Sequence, residues 1–200
     1  RCCSSAASDV YKRQDLTLVF DVLSDRNDVR SIVLTGAGKC FSAGADIKGR
    51  ASQESDLGDH WVHSRRVREC FYSIMECKKP VIAAINGAAL GAGLAVAASA
   101  DILIASESAS VGLPEINVGL LGGGRHAMRL FGHSKTRRLM LTGQRLSGAE
   151  LYRLGIVEEC VPDDDLMRAA LEIAEELASK SPVAMSLSLI HISEPTRPIA

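Results

Sequence analysis

The segment that most constrains the fold joins two apolar runs through a turn of very small residues. The runs, residues 81–85 and 102–105, have the length and composition of buried strands. The turn between them, residues 86–93, reads NGAALGAG, so no bulky side chain keeps an anionic oxygen away from its backbone N–H groups. Farther on, Pro114-Glu115 places one carboxylate in an apolar stretch. Exposed N–H donors and a lone carboxylate suit acid–base chemistry beside a carbonyl group.

The two ends of the chain are related to each other in an unusual way. Residues 9–14 (DVYKRQ) and 187–192 (LSLIHI) can be encoded by DNA strings that are reverse complements. The string also resembles a transposon adapter used to prepare sequencing libraries. We therefore interpret residues 1–14 and 187–200 as translated adapter and exclude them from fold reasoning. A native serine-rich tail is the alternative.

Composition limits what the remaining residues 15–186 can be. They suffice for one domain with a hydrophobic core. The whole chain has a net charge of −1 and 24% charged residues, which favours neither nucleic-acid nor membrane binding. Residues 81–98 are too rich in alanine to span a membrane. Four cysteines lack metal-ligand spacing, so we expect no metal site and buried thiols in a reducing cytoplasm: Cys40, Cys70, Cys77 and Cys160.

Strand-like runs alternate with helical periodicity, which predicts an α/β fold. Strands are predicted at residues 31–35, 81–85, 101–106, 110–112 and 156–161. Helices are predicted at residues 15–23, 60–77, from the Gly91 turn to residue 98, and at 122–131, 134–141, 147–154 and 163–179. Ser147 is the predicted N-cap of its helix, with Glu150 completing a capping box. A second turn of small residues, 41–48, follows the first strand.

Five motifs resemble the enoyl-CoA hydratase/isomerase (crotonase) superfamily in order and spacing: FSAGADIK, KKPVIAAINGAALGAGLAVA, ADILIAS, LPEINVGLL and LTGQRLSGAELYRLGIVEECVP. The similarity covers residues 15–186. It implies a crotonase-type (ClpP/crotonase-like) fold, a spiral of β-β-α units that binds acyl-CoA thioesters. It also implies no cofactor beyond the coenzyme A of the substrate, and a homotrimer or dimer of trimers when full length.

The same resemblance assigns roles within the two small-residue turns. The backbone N–H groups of Ala45 and Ala92 would hold the thioester oxygen and stabilise an enolate. Five residues would lie near coenzyme A: Ala43, Asp46, Ile47, Lys48 and Gly91. Hydratases of the family commonly use two glutamates. Here the first position is Ala95 and the second is Glu115, so the chain resembles a member with a single glutamate acid/base.

A single base can move a proton between two carbons of an enolate, as in double-bond isomerisation. A single base can also work with a water molecule that other groups hold in place, so hydration is a second possible reaction. Where many relatives have a Pro-Gly-x-Gly-Gly loop, this chain has Gly-Gly-Gly followed by Arg125 and His126. His126 is thus a candidate second acid/base, because imidazole titrates near neutrality. A solvent-facing or capping histidine is the alternative.

Two other functions compete with a hydratase or isomerase. A non-catalytic acyl-CoA-binding homologue would bind thioesters without turnover, and the alanine at position 95 favours it. A serine hydrolase would use Ser42 or Ser99 with His126, but neither serine lies in a Gly-x-Ser-x-Gly motif. By comparison with the family, the chain also lacks the opening strands and the C-terminal helices. We therefore expect residues 15–186 alone to fold poorly.

Overall fold

The strands form two sheets in the computed structural model, which describes residues 10–44 and 57–193. The strands are β1 Ile32–Thr35, β2 Val81–Ile85, β3 Ala88–Leu90, β4 Ile102–Ser106, β5 Ser110–Gly112, β6 Arg145–Ser147 and β7 Cys160–Val161. One sheet is parallel, in the order β1-β2-β4-β7. The other has the order β3-β5-β6, with β3 and β5 parallel and β6 antiparallel to β5.

Helices connect and flank the strands of the described chain. They are α1 Val10–Asp25, α2 Leu57–Met75, α3 Ala92–Ala97, α4 Gly124–Leu130, α5 His133–Thr142, α6 Gly148–Arg153, α7 Leu166–Ala178 and α8 Pro182–Ser193. Short 3-10 helices form at Pro114–Val118 and Asp163–Asp165. None of the helices in the described residues is long and apolar enough to cross a bilayer.

From β2 to β5, successive strands alternate between the two sheets, which produces the predicted β-β-α repetition. The chain runs from β2 into β3 and then α3, and from β4 into β5 and then the 3-10 helix Pro114–Val118. The two units lie side by side: Ile82 of β2 pairs with Ile102 of β4 in the first sheet, and Ala88 of β3 pairs with Ser110 of β5 in the second. In both of these repeats, the strand of the second sheet therefore leads into a helix.

Side chains of β2 pack alternately into two hydrophobic cores. Val81, Ala83 and Ile85 belong to the larger core, whereas Ala84 packs with Ile104 against helix α7. All five residues of β2 are buried. Because both faces of the sheet are covered, the strand is uninterruptedly apolar, which is why its bounds were predictable from sequence.

The second sheet was less predictable. The sequence predicted one turn over residues 86–93. The structure instead contains strand β3 within this segment, because residues 88–90 pair with β5. The strand predicted at residues 156–161 shortens to β7, because the Ile156 N–H instead bonds the carbonyl of Leu151 at the end of α6. Strand β6 was not predicted, since three residues with one buried side chain carry no periodic signal.

The predicted cap of α6 forms only in part. The Ser147 hydroxyl accepts the Glu150 N–H at 3.3 Å, as expected of an N-cap. The Glu150 carboxylate, however, accepts hydrogen bonds from Arg153 at 2.8 Å. Helix α8 was not predicted, and helices α1 and α8 extend into residues 10–14 and 187–193. A helical backbone does not report the origin of its residues, so the adapter interpretation stays a prediction.

Candidate active site

A cavity of about 540 Å³ lies where the two small-residue turns meet the 3-10 helix Pro114–Val118. Its wall combines the two turns with part of α2 and with the glycine loop that precedes α4. Six residues singled out from the sequence line it: Ala43, Gly91, Ala92, Ala95, Glu115 and His126. The structure thus gathers at one place residues that lie far apart along the chain.

The first small-residue turn is only partly within the described residues. Ala45, Asp46, Ile47 and Lys48 lie outside them, so their roles stay predictions. Gly44, just before them, lines the cavity with a φ of 89°. A Cβ atom there would lie 2.8 Å from the carbonyl oxygen of Leu90 and 3.6 Å from the backbone nitrogen of Ala92. The backbone leading to Ala45 therefore runs directly beside that of Ala92.

Backbone hydrogen bonds join the two turns. The N–H of Ser42 bonds the carbonyl of Ala88, and the N–H of Leu90 bonds the carbonyl of Ser42, each at 2.9 Å. On the helix side, a Cβ on Gly93 would lie 2.5 Å from the Ser42 carbonyl oxygen. Only glycine allows α3 to approach this closely.

Gly91 sets the start of α3. It is the N-cap residue with a φ of 56°, and its N–H bonds the carbonyl of Gly112 at 2.9 Å. Ala92 follows as the first helical residue, where an N–H has no acceptor within the helix. Ala92 also lines the cavity, which makes its N–H a candidate donor to a ligand oxygen.

Glu115 is held by a short, well-defined element. Pro114 occupies the first turn of the 3-10 helix, which ends at Gly119 with a φ of 69°. The carboxylate is half-buried, and its Oε2 has no hydrogen-bond partner among the described residues. Burial raises the pKa of Glu115, because it disfavours the charged form more than a hydrogen bond from the residue's own backbone favours it.

His126 lines the same cavity from the first turn of α4. Its ring packs against Phe71, with centroids 4.4 Å apart and planes tilted by 56°. Burial lowers the pKa of His126, and the positive charges of Arg129 and Arg125 lower it further. The side chain is therefore neither solvent-facing nor a helix cap.

Several cavity residues were not found from the sequence. Ser64, Val67 and Phe71 come from α2, and Asn117 and Arg145 also line the cavity. Phe71 lies within the helix predicted at residues 60–77, but nothing in a helical pattern separates a core-facing from a cavity-facing aromatic ring. Arg145 belongs to β6, which was itself missed.

Neither candidate serine nucleophile lines the cavity. Ser99 is buried, and its hydroxyl donates to the carbonyl of Ala95 at 2.8 Å. Ser42 lies in the hydrogen-bonded junction between the two turns, where its hydroxyl accepts the Gly44 N–H. Three of the cysteines are buried, as expected, while Cys160 is partly exposed. Within the described ranges, no cluster of histidine, cysteine and acidic residues has the arrangement of a metal site.

Comparison with known proteins agrees with this geometry. The family model described as enoyl-CoA hydratase/isomerase matches residues 8–197. A probable mitochondrial enoyl-CoA hydratase of Dictyostelium discoideum is 36% identical over 170 residues, covering 84% of this chain and 60% of that protein. A short-chain-enoyl-CoA hydratase of Clostridium acetobutylicum is 38% identical over 186 residues, covering 90% of this chain and 69% of that protein.

Solved structures confirm the fold. The crystal structure of an enoyl-CoA hydratase from Bacillus anthracis superposes with a TM-score of 0.87 at 34% identity, covering 94% of this chain and 74% of that one. The predicted crotonase-type fold is therefore correct for the described residues. By its family model, its relatives and its fold, this chain belongs to the enoyl-CoA hydratase/isomerase family.

Proposed function

We propose that the full-length protein is an acyl-CoA hydratase or isomerase that acts through a thioester enolate. The contact between the Gly91–Ala92 turn and the Glu115 carboxylate carries this proposal. A Cβ atom on Gly91 would lie 3.0 Å from the Glu115 Cδ. An oxygen held at this turn thus lies close to a group that can move a proton.

The thioester oxygen binds to backbone N–H groups in this mechanism. Ala92 supplies one at the start of α3, and Ala45 supplies the second, from the turn that runs beside it. As the enolate forms, negative charge collects on that oxygen, and one such donor stabilises the transition state by about 3 kcal/mol. Side chains at these positions stay small because the donors are backbone atoms.

Glu115 moves the proton. In hydration, its carboxylate takes a proton from water as the oxygen bonds to C3, and C2 then receives the proton. In isomerisation, it removes a proton from C2 and returns it at C4. The half-buried position suits both reactions, because a carboxylate with a raised pKa is a stronger base.

Ala95 also lines the cavity, but its methyl group cannot exchange a proton. Among the described lining residues, Glu115 is therefore the sole carboxylate. This arrangement supports a single-glutamate mechanism.

The substrate carries coenzyme A, so the reaction needs no separate cofactor. We propose that Ala43, Gly91 and the Asp46–Ile47–Lys48 segment contact the coenzyme A portion. We also propose a cytoplasmic protein that assembles as a homotrimer or a dimer of trimers, without nucleic-acid or membrane partners.

A non-catalytic acyl-CoA-binding protein is the second candidate, favoured by the methyl group of Ala95 in the cavity. It predicts the same thioester binding without turnover. The retained Glu115, half-buried at the cavity wall, supports catalysis instead.

The test uses the full-length protein with 2-enoyl-CoA and 3-enoyl-CoA thioesters, following the absorbance of the conjugated thioester. Hydration lowers the signal from the first substrate, and isomerisation raises it from the second. Glu115→Gln should abolish either change, whereas Glu158→Gln, at an exposed glutamate, should not. Equal rates in wild type and Glu115→Gln would refute the role of Glu115. Thioester binding without any turnover would favour the binding protein.

A further inference from the structure

Few side chains on the cavity wall can take part in chemistry. Among the described lining residues, those with titratable groups are Glu115, His126 and Arg145. A guanidinium stays protonated in proteins, so it neither accepts nor releases a proton. His126 is therefore the group other than Glu115 whose protonation state matters on this wall.

The backbone leading to His126 touches the catalytic parts already described. A Cβ on Gly122 would lie 3.1 Å from the Glu115 Oε1, and a Cβ on Gly123 would lie 3.5 Å from the Gly91 carbonyl oxygen. His126 follows within one turn of α4, which packs against α3. The chain segment that contacts Glu115 and Gly91 therefore leads directly into the helix that carries the His126 imidazole.

The surroundings of His126 leave one ring nitrogen for a ligand. Nδ1 is buried and has no hydrogen-bond partner among the described residues. A hydrogen bond from the ring to a bound ligand therefore falls to Nε2, and packing against Phe71 restricts the ring's orientation.

The charges around His126 favour the neutral ring. Burial and the cationic Arg125 and Arg129 on its own helix lower its pKa. The α2 residues that line the cavity beside it, Ser64, Val67 and Phe71, carry no charge. The charged side chains that line the same cavity are Glu115 and the cationic Arg145. A neutral imidazole is a hydrogen-bond donor rather than an acid.

We propose that His126 donates its Nε2–H to the oxygen at C3 of the acyl chain and thereby directs the site towards hydration. This rests on the proposed function. Water gives a proton to the Glu115 carboxylate as its oxygen bonds to C3, and the π electrons of the C2–C3 double bond move onto the thioester oxygen. The Glu115 proton then passes to C2. His126 gains and loses no proton, and in the reverse direction it stabilises the departing oxygen.

Two assays separate the role of His126 from that of Glu115. Hydration of 2-butenoyl-CoA requires an oxygen at C3. Exchange of the C2 hydrogens of butanoyl-CoA with deuterated solvent requires only the enolate and Glu115. A residue that binds the C3 oxygen should affect the first reaction and not the second.

Three variants of the full-length protein distinguish the roles of the ring. His126→Gln places an amide N–H near the position of Nε2, His126→Asn near that of Nδ1, and His126→Leu retains only bulk. We expect His126→Gln to keep kcat for hydration within about threefold, and the other two to lose about tenfold, the effect of one neutral hydrogen bond. Exchange at C2 should stay unchanged in all three. His133→Gln, at an exposed histidine of α5, is the matched control.

Other outcomes would overturn the inference. If His126→Gln is as slow as His126→Leu, the ring transfers a proton; if all three variants match wild type, it only packs. A parallel loss of C2 exchange would place His126 at the thioester oxygen or in the fold. Nitrogen NMR of the unliganded protein gives a readout independent of turnover, because a proton on Nδ1 contradicts the inference directly. Failure of the proposed function would look different from failure of the His126 inference. The wild-type protein would then show no C2 exchange, or exchange that Glu115→Gln does not change.

Discussion

Gly91 and Glu115 are in direct contact, so that any side chain at position 91 would displace the carboxylate. A Cβ there would lie 3.0 Å from the Glu115 Cδ and closer still to Oε1. The same glycine has a φ of 56°, a conformation that L-residues rarely adopt. One residue therefore sets both the start of α3 and the position of the proton-transfer group.

Gly91→Ala should cost stability and nearly all activity. An alanine forced into this positive-φ conformation contributes about 1–3 kcal/mol of destabilisation, and displacement of Glu115 accounts for the lost turnover. Gly155→Ala is the matched control, because Gly155 has a φ of 67° and open space around its Cα. Denaturant unfolding and thioester turnover measure the two effects. If both variants retain full activity, the contact does not position Glu115.

Glu115→Gln should stabilise the protein at neutral pH while it removes activity. The pKa of Glu115 is raised by burial, so its protonated form favours the folded state. That contribution is complete below the unfolded pKa and is lost as pH rises through the folded pKa. The stability difference between variant and wild type should therefore grow as pH rises through this range and stay constant above it. Thermal unfolding across pH 4–8 measures it, with Glu158→Gln as control, and a constant difference would contradict it.

The rate of hydration should fall on the acid side as Glu115 becomes protonated. Because burial raises the pKa of Glu115 above its ordinary range, the fall should begin at a higher pH than for an exposed glutamate. The pH profile of kcat measures this, together with C2 exchange, which should share the limb because both reactions need the carboxylate. A flat profile down to the usual glutamate range would argue against Glu115 as the base.

Gly93→Ala should weaken the junction between the two small-residue turns. Its Cβ would lie 2.5 Å from the carbonyl oxygen and 2.7 Å from the Cβ of Ser42. Overpacking of this kind costs about 1–3 kcal/mol, and moving Ser42 should also separate Gly44 from Ala92 and weaken thioester binding. Gly132→Ala, where the Cβ meets no atom within 4 Å, is the control. Unfolding and binding of butanoyl-CoA test this, and equal behaviour of the two variants would refute it.

Phe71→Leu should slow hydration without changing C2 exchange. The Phe71 ring contacts His126 and has no contact role at the thioester oxygen in the proposed mechanism. Loss of the ring should allow the imidazole to turn, so that its N–H no longer meets the C3 oxygen. Phe131→Leu, at another buried phenylalanine, controls for lost packing. A fall in both reactions would assign Phe71 to stability alone.

Local features of the sequence were sufficient to predict much of the larger sheet. In that sheet β2 has the predicted bounds, and β1 and β4 agree with the predicted bounds to within one residue, because each is a short apolar run. The sequence also identified the glycines of both turns and the Pro-Glu pair as candidate site residues. Their chemistry depends on side-chain size and charge, which are properties of single residues.

Tertiary structure decided the rest. Whether residues 88–90 are a turn or a strand depends on pairing with β5, which is not encoded in their own periodicity. The same holds for His126: the sequence left open a second acid/base or an exposed or capping residue, whereas the structure places its side chain on the cavity wall beside Phe71 of α2. Sequence determines which groups are available. Burial and charge from distant segments determine their pKa values, hydrogen-bond partners and roles, because these depend on what the folded chain brings together.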